Sequence, residues 1–578
     1  MSQEELIEKH GLVRSTIFRL KTYAHISLRT LKNIRQPIQR HGSQSVDISK
    51  KVIGLSESDL WNPHDNAKNW ILTAGKIENL RIAVRRINGI QIPAGNTFSF
   101  WKQLGNPNIG KGYVVGREVR EGCILPTKAG GLCQLSNALY DAADKAGLDI
   151  LERHRHTKVI KGSLAEQDRD ATVKWNYVDL RFSAPFDLQI RAELTQDKLI
   201  VAIHASEERS QTEKASAIQN VDFVNDCFSC GNTACHKHPS RLAEKQKLSN
   251  TTYIVEALSP EWRHYILENI QSGDHIILPI RPLPGLRSIG TQLNVPKGVN
   301  VSYASRAGLK RKLALRKAAK AGKNYFEATL KADEAYVKSL KLPVESGHLV
   351  VSQNLLPFLQ AHGSLGGRTY DVLMTRLSIE LLQRKLDELK VKYPESPTLK
   401  DFRAPARIIE LENLALSRAN SVITPNEAIG ALYGQRWKKI PWSLPKRAPV
   451  SGGRGILFPA SPVGRNGAYE LREILKDFDV PLFIAGNAIE EEGFLKAFGV
   501  SKFHGNWEDV KLVIFPTQVP VYPRLILEAL GRGIPVIVSS DLGMETHPLL
   551  SVLSVTQIEE WRHALQVNIY QQEQNQSA

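Results

Sequence analysis

From Thr252 onward, short apolar runs alternate with stretches of helical pattern, and this constrains the fold more than any other feature of the chain. Tyr253 to Ala257, His348 to Ser352, Ser421 to Thr424, Ile456 to Ala460, Pro481 to Gly486, Leu512 to Pro516 and Ile534 to Val538 are runs of this kind. They are too short for ordinary helices and too continuously apolar for strands with one wet face. Strands buried on both faces call for parallel sheets covered by helices, and the length suits two such domains with a cleft between them. The expected fold class is α/β multidomain, with this region a double Rossmann-like pair of lobes.

At 578 residues the chain exceeds one ordinary core, and length alone suggests three or four domains. Hydrophobic content of 42% and charged content of 23% are those of globular protein. The formal net charge of +17 favours acidic partners: nucleic acid, anionic lipid headgroups, nucleotide-sugars or acidic polysaccharide. Aromatic residues do not interleave with the basic ones as single-stranded nucleic acid requires, which argues against that partner.

Met1 to His10 is polar, and Thr16 to Leu31 is broken by Arg19, Lys21, His25 and Arg29, so no signal-peptide pattern opens the chain. No apolar run reaches the length of a spanning helix. The expected location is the cytoplasm, with peripheral association at the inner membrane surface open. There the five cysteines are expected free, catalytic or metal-bound rather than paired. Thr16 to Arg40 has the pattern of a basic amphipathic helix, with Ile17, Leu20, Tyr23, Ile26, Leu31 and Ile34 on or near one side. Such a helix either packs on its own domain or lies on an anionic membrane. Arg306 to Lys323 reads as a second helix with a charged outer face.

Cys227, Cys230, Cys235 and His238 fall within one turn-rich stretch that follows a segment without apolar periodicity. Cys-x2-Cys followed by Cys-x2-His is the arithmetic of a tetrahedral zinc site, with His236 competing for the last position. An iron–sulfur cluster suits the same ligands. A closed ligand set would staple this connector rather than run chemistry.

Gly130-Gly131-Leu132-Cys133 places a cysteine where a glycine pair gives way to the apolar-periodic run Leu135, Leu139, Ala142, Ala143. The spacing predicts that Cys133 opens a helix, where unpaired amides and partial positive charge favour thiolate. His154, His156 and Asp170 follow, so the order Cys, His, Asp supplies a nucleophile, a base and an orienting carboxylate. On a strand the two histidines share a face, and either could reach Cys133. Gln134 or the amides of the Cys133 turn would stabilise an oxyanion. The competing reading makes Cys133 a small buried hydrophobe.

Gly95 to Trp101, the Cys133 segment through Tyr140, Leu151 to His156, and Asp170-Ala171-Thr172 leading to Asp179 to Phe182 together resemble the VanW family, over roughly residues 50 to 205. The resemblance implies an α+β domain associated with vancomycin-resistance clusters and the cell envelope, without a settled reaction. Many relatives carry three glycines before the cysteine, whereas Ala129 stands first here. If the triad holds, its layout resembles transglutaminase-like and papain-like thiol enzymes.

Glu410 to Tyr433, Ile440-Pro441-Trp442, Ile456 to Pro459, Ala485-Gly486 and Tyr522 to Val538 resemble GT-B glycosyltransferases, particularly the retaining family 4-like group. The resemblance implies a hexosyltransferase-like enzyme in which Glu528 holds the ribose of a nucleotide-sugar and Arg465 meets its diphosphate. Two departures stand out. Pro520 occupies the position of the first Glu of the family's Glu-x7-Glu, and Asn466 stands where a second cation is usual. Gly363 to Arg368 reads as a glycine turn before a helical pattern from Tyr370 to Leu389, either a plain loop or an anion-binding one.

The expected organisation is a basic helical segment at 1–50, a VanW-like domain at 51–206, a metal-binding linker at 207–248, and GT-B-like lobes at 249–447 and 448–578. The leading expectation is nucleotide-sugar-dependent transfer to a glycan or small-molecule acceptor in envelope or secondary-metabolite assembly. Cys-dependent acyl transfer or amide hydrolysis, and a non-catalytic scaffold, stand beside it.

Overall fold

The computed structural model describes residues 12–576 except 36, 45, 48–49, 62–66, 108–109, 121–122, 157–163, 207–249, 283–292, 322–324, 488–489 and 492. Cys227, Cys230, Cys235 and His238 therefore lie outside the described residues. The chain forms two compact units, one of residues 1–250 with 342–348 and 362–369, the other of the remainder. Both parallel sheets fall in the second unit.

The first unit opens with helix α1 (Leu12–Arg35) and strand β1 (Lys51–Asp59), followed by α2 (Ala67–Ile87), β2 (Ile90–Ile92), β3 (Thr97–Ser99) and α3 (Phe100–Leu104). A hairpin of β4 (Val115–Arg120) and β5 (Cys123–Lys128) leads into α4 (Cys133–Lys145) and β6 (Asp149–Glu152). Strands β7 (Arg181–Ser183), β8 (Leu188–Leu194) and β9 (Lys198–Ala205) complete the unit. They form an antiparallel sheet of order β1-β9-β8-β2 and a smaller one of order β3-β7-β6.

Helix α4 exists because Leu135, Ala138, Leu139, Ala142 and Ala143 recur at helical spacing and are all fully buried, facing β1 and β9. Truncating such a leucine costs about 2–5 kcal/mol. Its start is fixed by the turn before it. Gly131 has φ +97°, and a Cβ there would lie 2.1 Å from Lys76 Cγ. A Cβ on Gly130 would lie 2.6 Å from the Gly116 carbonyl oxygen on β4. Ala129 also has positive φ, at 60°, so the residue that departs from the three-glycine pattern occupies a left-handed site.

The second unit contains a seven-stranded sheet of β10 (Asn250–Ile254), β11 (His275–Leu278), β12 (Asn300–Tyr303), β13 (Ser346–Ser352), β14 (Thr369–Leu373), β15 (Ser421–Thr424) and β16 (Trp437–Lys439). Their order is β12-β11-β10-β13-β14-β15-β16. A six-stranded sheet follows, from β17 (Gly455–Phe458), β18 (Leu482–Ile484), β19 (Val500–Lys502), β20 (Val510–Phe515), β21 (Val536–Ser539) and β22 (Leu550–Leu553), in the order β19-β18-β17-β20-β21-β22. Every pair in this second sheet is parallel. Each sheet winds outward from its first strand, then reverses, which is doubly wound topology. The fold class is α/β, with antiparallel sheets in the first unit and two doubly wound parallel sheets in the second.

One expected helix is corrected. Tyr370 belongs to β14, and the helix that follows spans Ile379–Lys392. Arg368, buried, donates to the carbonyl oxygens of Ser346, Ser364 and Pro343. Its guanidinium is consumed by backbone, so Gly363 to Arg368 is a structural loop.

The turn geometry makes a prediction. Gly131→Ala should destabilise the first unit by more than ~1 kcal/mol, whereas Ala129→Gly should stay within ~1 kcal/mol of the parent, since relief at φ 60° is offset by unfolded-chain entropy. Hydrogen exchange of the α4 amides in urea, which reports opening of this unit, measures both.

Candidate active site

Cys133 is the first residue of α4, half-buried against the core of the first unit. Leu132 precedes it as N-cap without a side-chain hydrogen bond to the first turn. Within that turn, Gln134 N donates to Gly131 O and Leu135 N to Leu132 O, each at 3.1 Å.

Two irregular segments bring the other groups to it. Thr172 N donates to His154 O at 2.7 Å, zipping residues 154–156 against 170–172. Helix α4 holds the second segment by its backbone: Asn137 Oδ1 accepts from Ala171 N at 2.8 Å, and Ser136 Oγ donates to Ala171 O at 2.5 Å. Arg153 braces the loop from outside. It donates to Asp170 O at 2.8 Å and to the Asp168 carboxylate at 2.8 Å, and lies 4.1 Å from the Tyr140 ring centroid.

Asp170, only 3% exposed, receives His156 N at 2.7 Å and His156 Nδ1 at 2.6 Å on the same carboxylate oxygen. His156 also neighbours Cys133, whose hydrogen bond and charge act on it and are acted on by it. The Cys133 sulfur also lies 3.8 Å from Thr172 Oγ1 and 3.8 Å from Val173 O. A thiol, an imidazole and a carboxylate are thus neighbours.

Their electrostatics are mutual. Burial pushes the Cys133 thiol up, but the hydrogen bond and charge of His156 outweigh it and leave the thiol below its ordinary range. Burial pulls His156 down, yet hydrogen bonds to Asp170 and Cys133 raise it to about 10. Asp170 is pushed up by burial and pulled further down by His156, then by Arg153. The two shifts draw the pair toward thiolate and imidazolium, titrating together.

His154 does not join them. Strand β6 ends at Glu152, so the face-sharing expected of two histidines on a strand fails. His154, 47% exposed in its side chain, turns its Nε2 to Glu152 at 3.2 Å. Gln134 is also excluded as an oxyanion donor, because its amide donates to Ser58 Oγ at 3.0 Å and Asp59 O at 2.8 Å. Sequence reading missed Arg153, Ser136 and Asn137 as supports, although each adjoins a residue it had singled out.

In the second unit, Arg465 follows β17, and its carbonyl accepts from Gln518 N at 3.0 Å beyond β20. These are the two strands between which the sheet order reverses. The Arg465 guanidinium lies 4.5 Å from the Phe402 ring centroid; burial lowers its pKa while Asp401 and Glu490 oppose that. Asn466 donates to Ser461 O at 2.8 Å, a bond within its own turn. Glu528 lies in the second turn of helix Arg524–Gly531, away from the N-terminal end of the helix dipole. Its carboxylate meets Arg447 at 2.8 Å and Arg532 at 3.6 Å, and the Arg447 hydrogen bond keeps it below its ordinary range.

Among the described residues no group of three or more His, Cys, Asp and Glu is placed to hold a metal ion, and no helix is long and apolar enough to cross a membrane.

Comparison with known proteins bears on both units. Galactosyltransferase WaaB of the lipopolysaccharide outer core has a TM-score of 0.31 at 11% identity, covering 56% of this chain and 91% of that one. HepE of Anabaena, in complex with UDP and glucose, has a TM-score of 0.33 at 11% identity, covering 56% and 91%. The sucrose-phosphate synthase of Thermosynechococcus elongatus has a TM-score of 0.35 at 12% identity, covering 55% and 89%. The doubly wound architecture stands on the strand order above. Among curated proteins, the Bacillus subtilis protein YoaR, described as uncharacterized, is 30% identical over 131 residues, 22% of this chain and 43% of that protein. The vancomycin B-type resistance protein VanW of Enterococcus faecalis is 31% identical over 163 residues, 27% of this chain and 58% of that protein. The chain spans about half the length of the curated relatives it matches. The family model described as VanW like protein matches residues 75–204, and that stretch, which contains Cys133, His156 and Asp170, is a VanW-like domain.

Proposed function

We propose that the VanW-like domain is a thiol acyl transferase or amide hydrolase with Cys133 as nucleophile, His156 as base and acid, and Asp170 as the group that orients the imidazole. The observation that carries this reading is His156 held by Asp170 at 2.6 Å while hydrogen-bonded to Cys133. The Cys133 thiolate adds to the carbonyl carbon of an amide or ester, and the developing oxyanion is met by the main-chain amide of Cys133 itself at the start of α4. His156 gives its proton to the departing amine or alcohol as the C–N or C–O bond breaks, leaving a thioester. Water or a second amine then attacks, His156 takes its proton, and the thiolate is released.

The sign of the pH dependence follows from the shifts. Cys133 is lowered from its ordinary value, so the midpoint of its iodoacetamide alkylation should fall at lower pH than that of a free cysteine. His156→Ala removes the lowering influences while burial remains, so the midpoint should move above the ordinary value and the rate at pH 7 should fall by roughly tenfold or more. His154→Ala should leave the profile unchanged. A wild-type midpoint at or above the ordinary value would remove the nucleophile from this reading.

A second reading concerns the second unit: nucleotide-sugar-dependent glycosyl transfer, with Arg465 at the donor diphosphate and Glu528 at the ribose. Arg465 at the strand-order reversal supports it, since open α/β sheets bind ligands there. Glu528 reaches a ribose only by exchanging its Arg447 contact for hydroxyl hydrogen bonds, which makes donor binding sensitive to both residues. UDP-, GDP- and TDP-sugars at about a hundred times Kd should stabilise the unit by about 2.7 kcal/mol, readable as a thermal shift, and Arg465→Ala or Glu528→Ala should abolish the shift. No shift with any donor would dismiss the reading, whereas a shift without release of nucleoside diphosphate would leave a scaffold.

For the connector, zinc at Cys227, Cys230, Cys235 and His238 remains the proposal. Elemental analysis should find about one zinc per chain, lost in Cys230→Ser, while iron and sulfide would indicate a cluster instead.

A further inference from the structure

Helix α1 inverts the usual relation between an amphipathic helix and its domain. A helix that belongs to a core buries its apolar stripe. Here the side turned to the domain is polar: Arg29 pairs with Glu152, Arg181 donates to Asn33 Oδ1 at 2.9 Å, and Arg29 Nη2 donates to Tyr177 O at 3.0 Å. Beneath it lies a cavity of about 350 Å³ rather than a packed seam. Most of its apolar residues point away, although Ile26 is half-buried and Ile34 also borders the cavity. Leu20 is 64% exposed, Tyr23 68%, Leu28 64%, Leu31 56% and Ile34 70%.

At 100° per residue these side chains, with Ile17, span an arc of roughly 140°, centred opposite Arg29 and Asn33. Lys21 and Lys32 are exposed just beyond one border of that arc, and Arg35, also exposed, lies inside it near the same border. The helix Leu12–Arg35 contains six Lys and Arg residues and no Asp or Glu. An outward apolar stripe edged by cations is the form that inserts at the boundary of headgroups and acyl chains. Two copies meeting face to face would instead bring like-charged borders together.

We propose that α1 is an interfacial anchor that lays the first unit on an anionic lipid surface, with Leu20, Tyr23, Leu28, Leu31 and Ile34 in the acyl boundary and Lys21, Lys32 and Arg35 at the headgroups. The inference is independent of the chemistry at Cys133 and in the second unit. Its polar tie through Arg29 and Glu152 leaves the stripe free without unfolding the domain.

Flotation of the full chain with vesicles decides it. Binding is expected to vesicles of phosphatidylcholine mixed with phosphatidylglycerol, much weaker binding to phosphatidylcholine alone, and a fall with added salt. Replacing Lys21, Lys32 and Arg35 together by Gln should weaken binding roughly a hundredfold, and Leu28→Glu with Leu31→Glu should abolish it. Cys133 alkylation at parental rate would show that these variants remain folded. No binding to mixed vesicles at low salt, or binding indifferent to the two Leu→Glu changes, overturns the proposal. A dimer that the same changes convert to monomer, without vesicle binding, would overturn it in favour of self-association.

Discussion

The buried carboxylate of Asp170 dictates the local structure of the VanW-like domain. Leaving such a charge unpaired in a low-dielectric site costs several kcal/mol, so the chain around it must supply donors. His156 supplies two, from backbone and ring, and Arg153 adds a cation. Satisfying that carboxylate pins residues 153–156 to 168–172, and the same pinning sets the imidazole against Cys133. Helix α4 contributes twice, presenting the thiol at its first residue and gripping Ala171 through Ser136 and Asn137 one turn later. Fold and chemistry rest on the same few bonds.

Local signals in the sequence were read well where a single element carried them. The glycine pair before Cys133 marks the start of α4, and the short apolar runs after residue 250 mark the strands of two parallel sheets. What failed needed knowledge of where an element ends. Sharing a face requires both histidines on one strand, but β6 stops at Glu152, and only the later histidine reaches the thiol. Tyr370 to Leu389 reads as helical because strand β14 and the helix after it both present apolar residues, and the break between them is set by sheet pairing with β15. Strand order was beyond sequence altogether, being settled by long-range pairing.

In the second unit the strand reversal sets the two candidate residues apart. Arg465 is placed by its own backbone, which bonds to the segment leaving β20, so its position at the reversal is a property of the sheet. Glu528 is placed by a helix and held by two arginines. With both partners present, the carboxylate is already neutralised, and a ligand gains from it only what it offers beyond Arg447. The cation is thus the firmer part of that site.

Which force lowers the Cys133 thiol can be decided by magnitude. A helix N-terminus is worth about 0.3–1 kcal/mol to a nearby negative charge, less than one pKa unit. Burial works in the opposite direction and is the largest single influence on this thiol. The dipole alone could not overcome it. An imidazolium in direct contact can, since an opposite charge at that distance shifts a pKa by about one to three units. His156 stays protonated because Asp170 and the thiolate both hold its charge. Helix position therefore sets where the sulfur points, and the imidazolium sets its charge, so reactivity depends on His156 and Asp170 more than on the turn that first drew notice to Cys133.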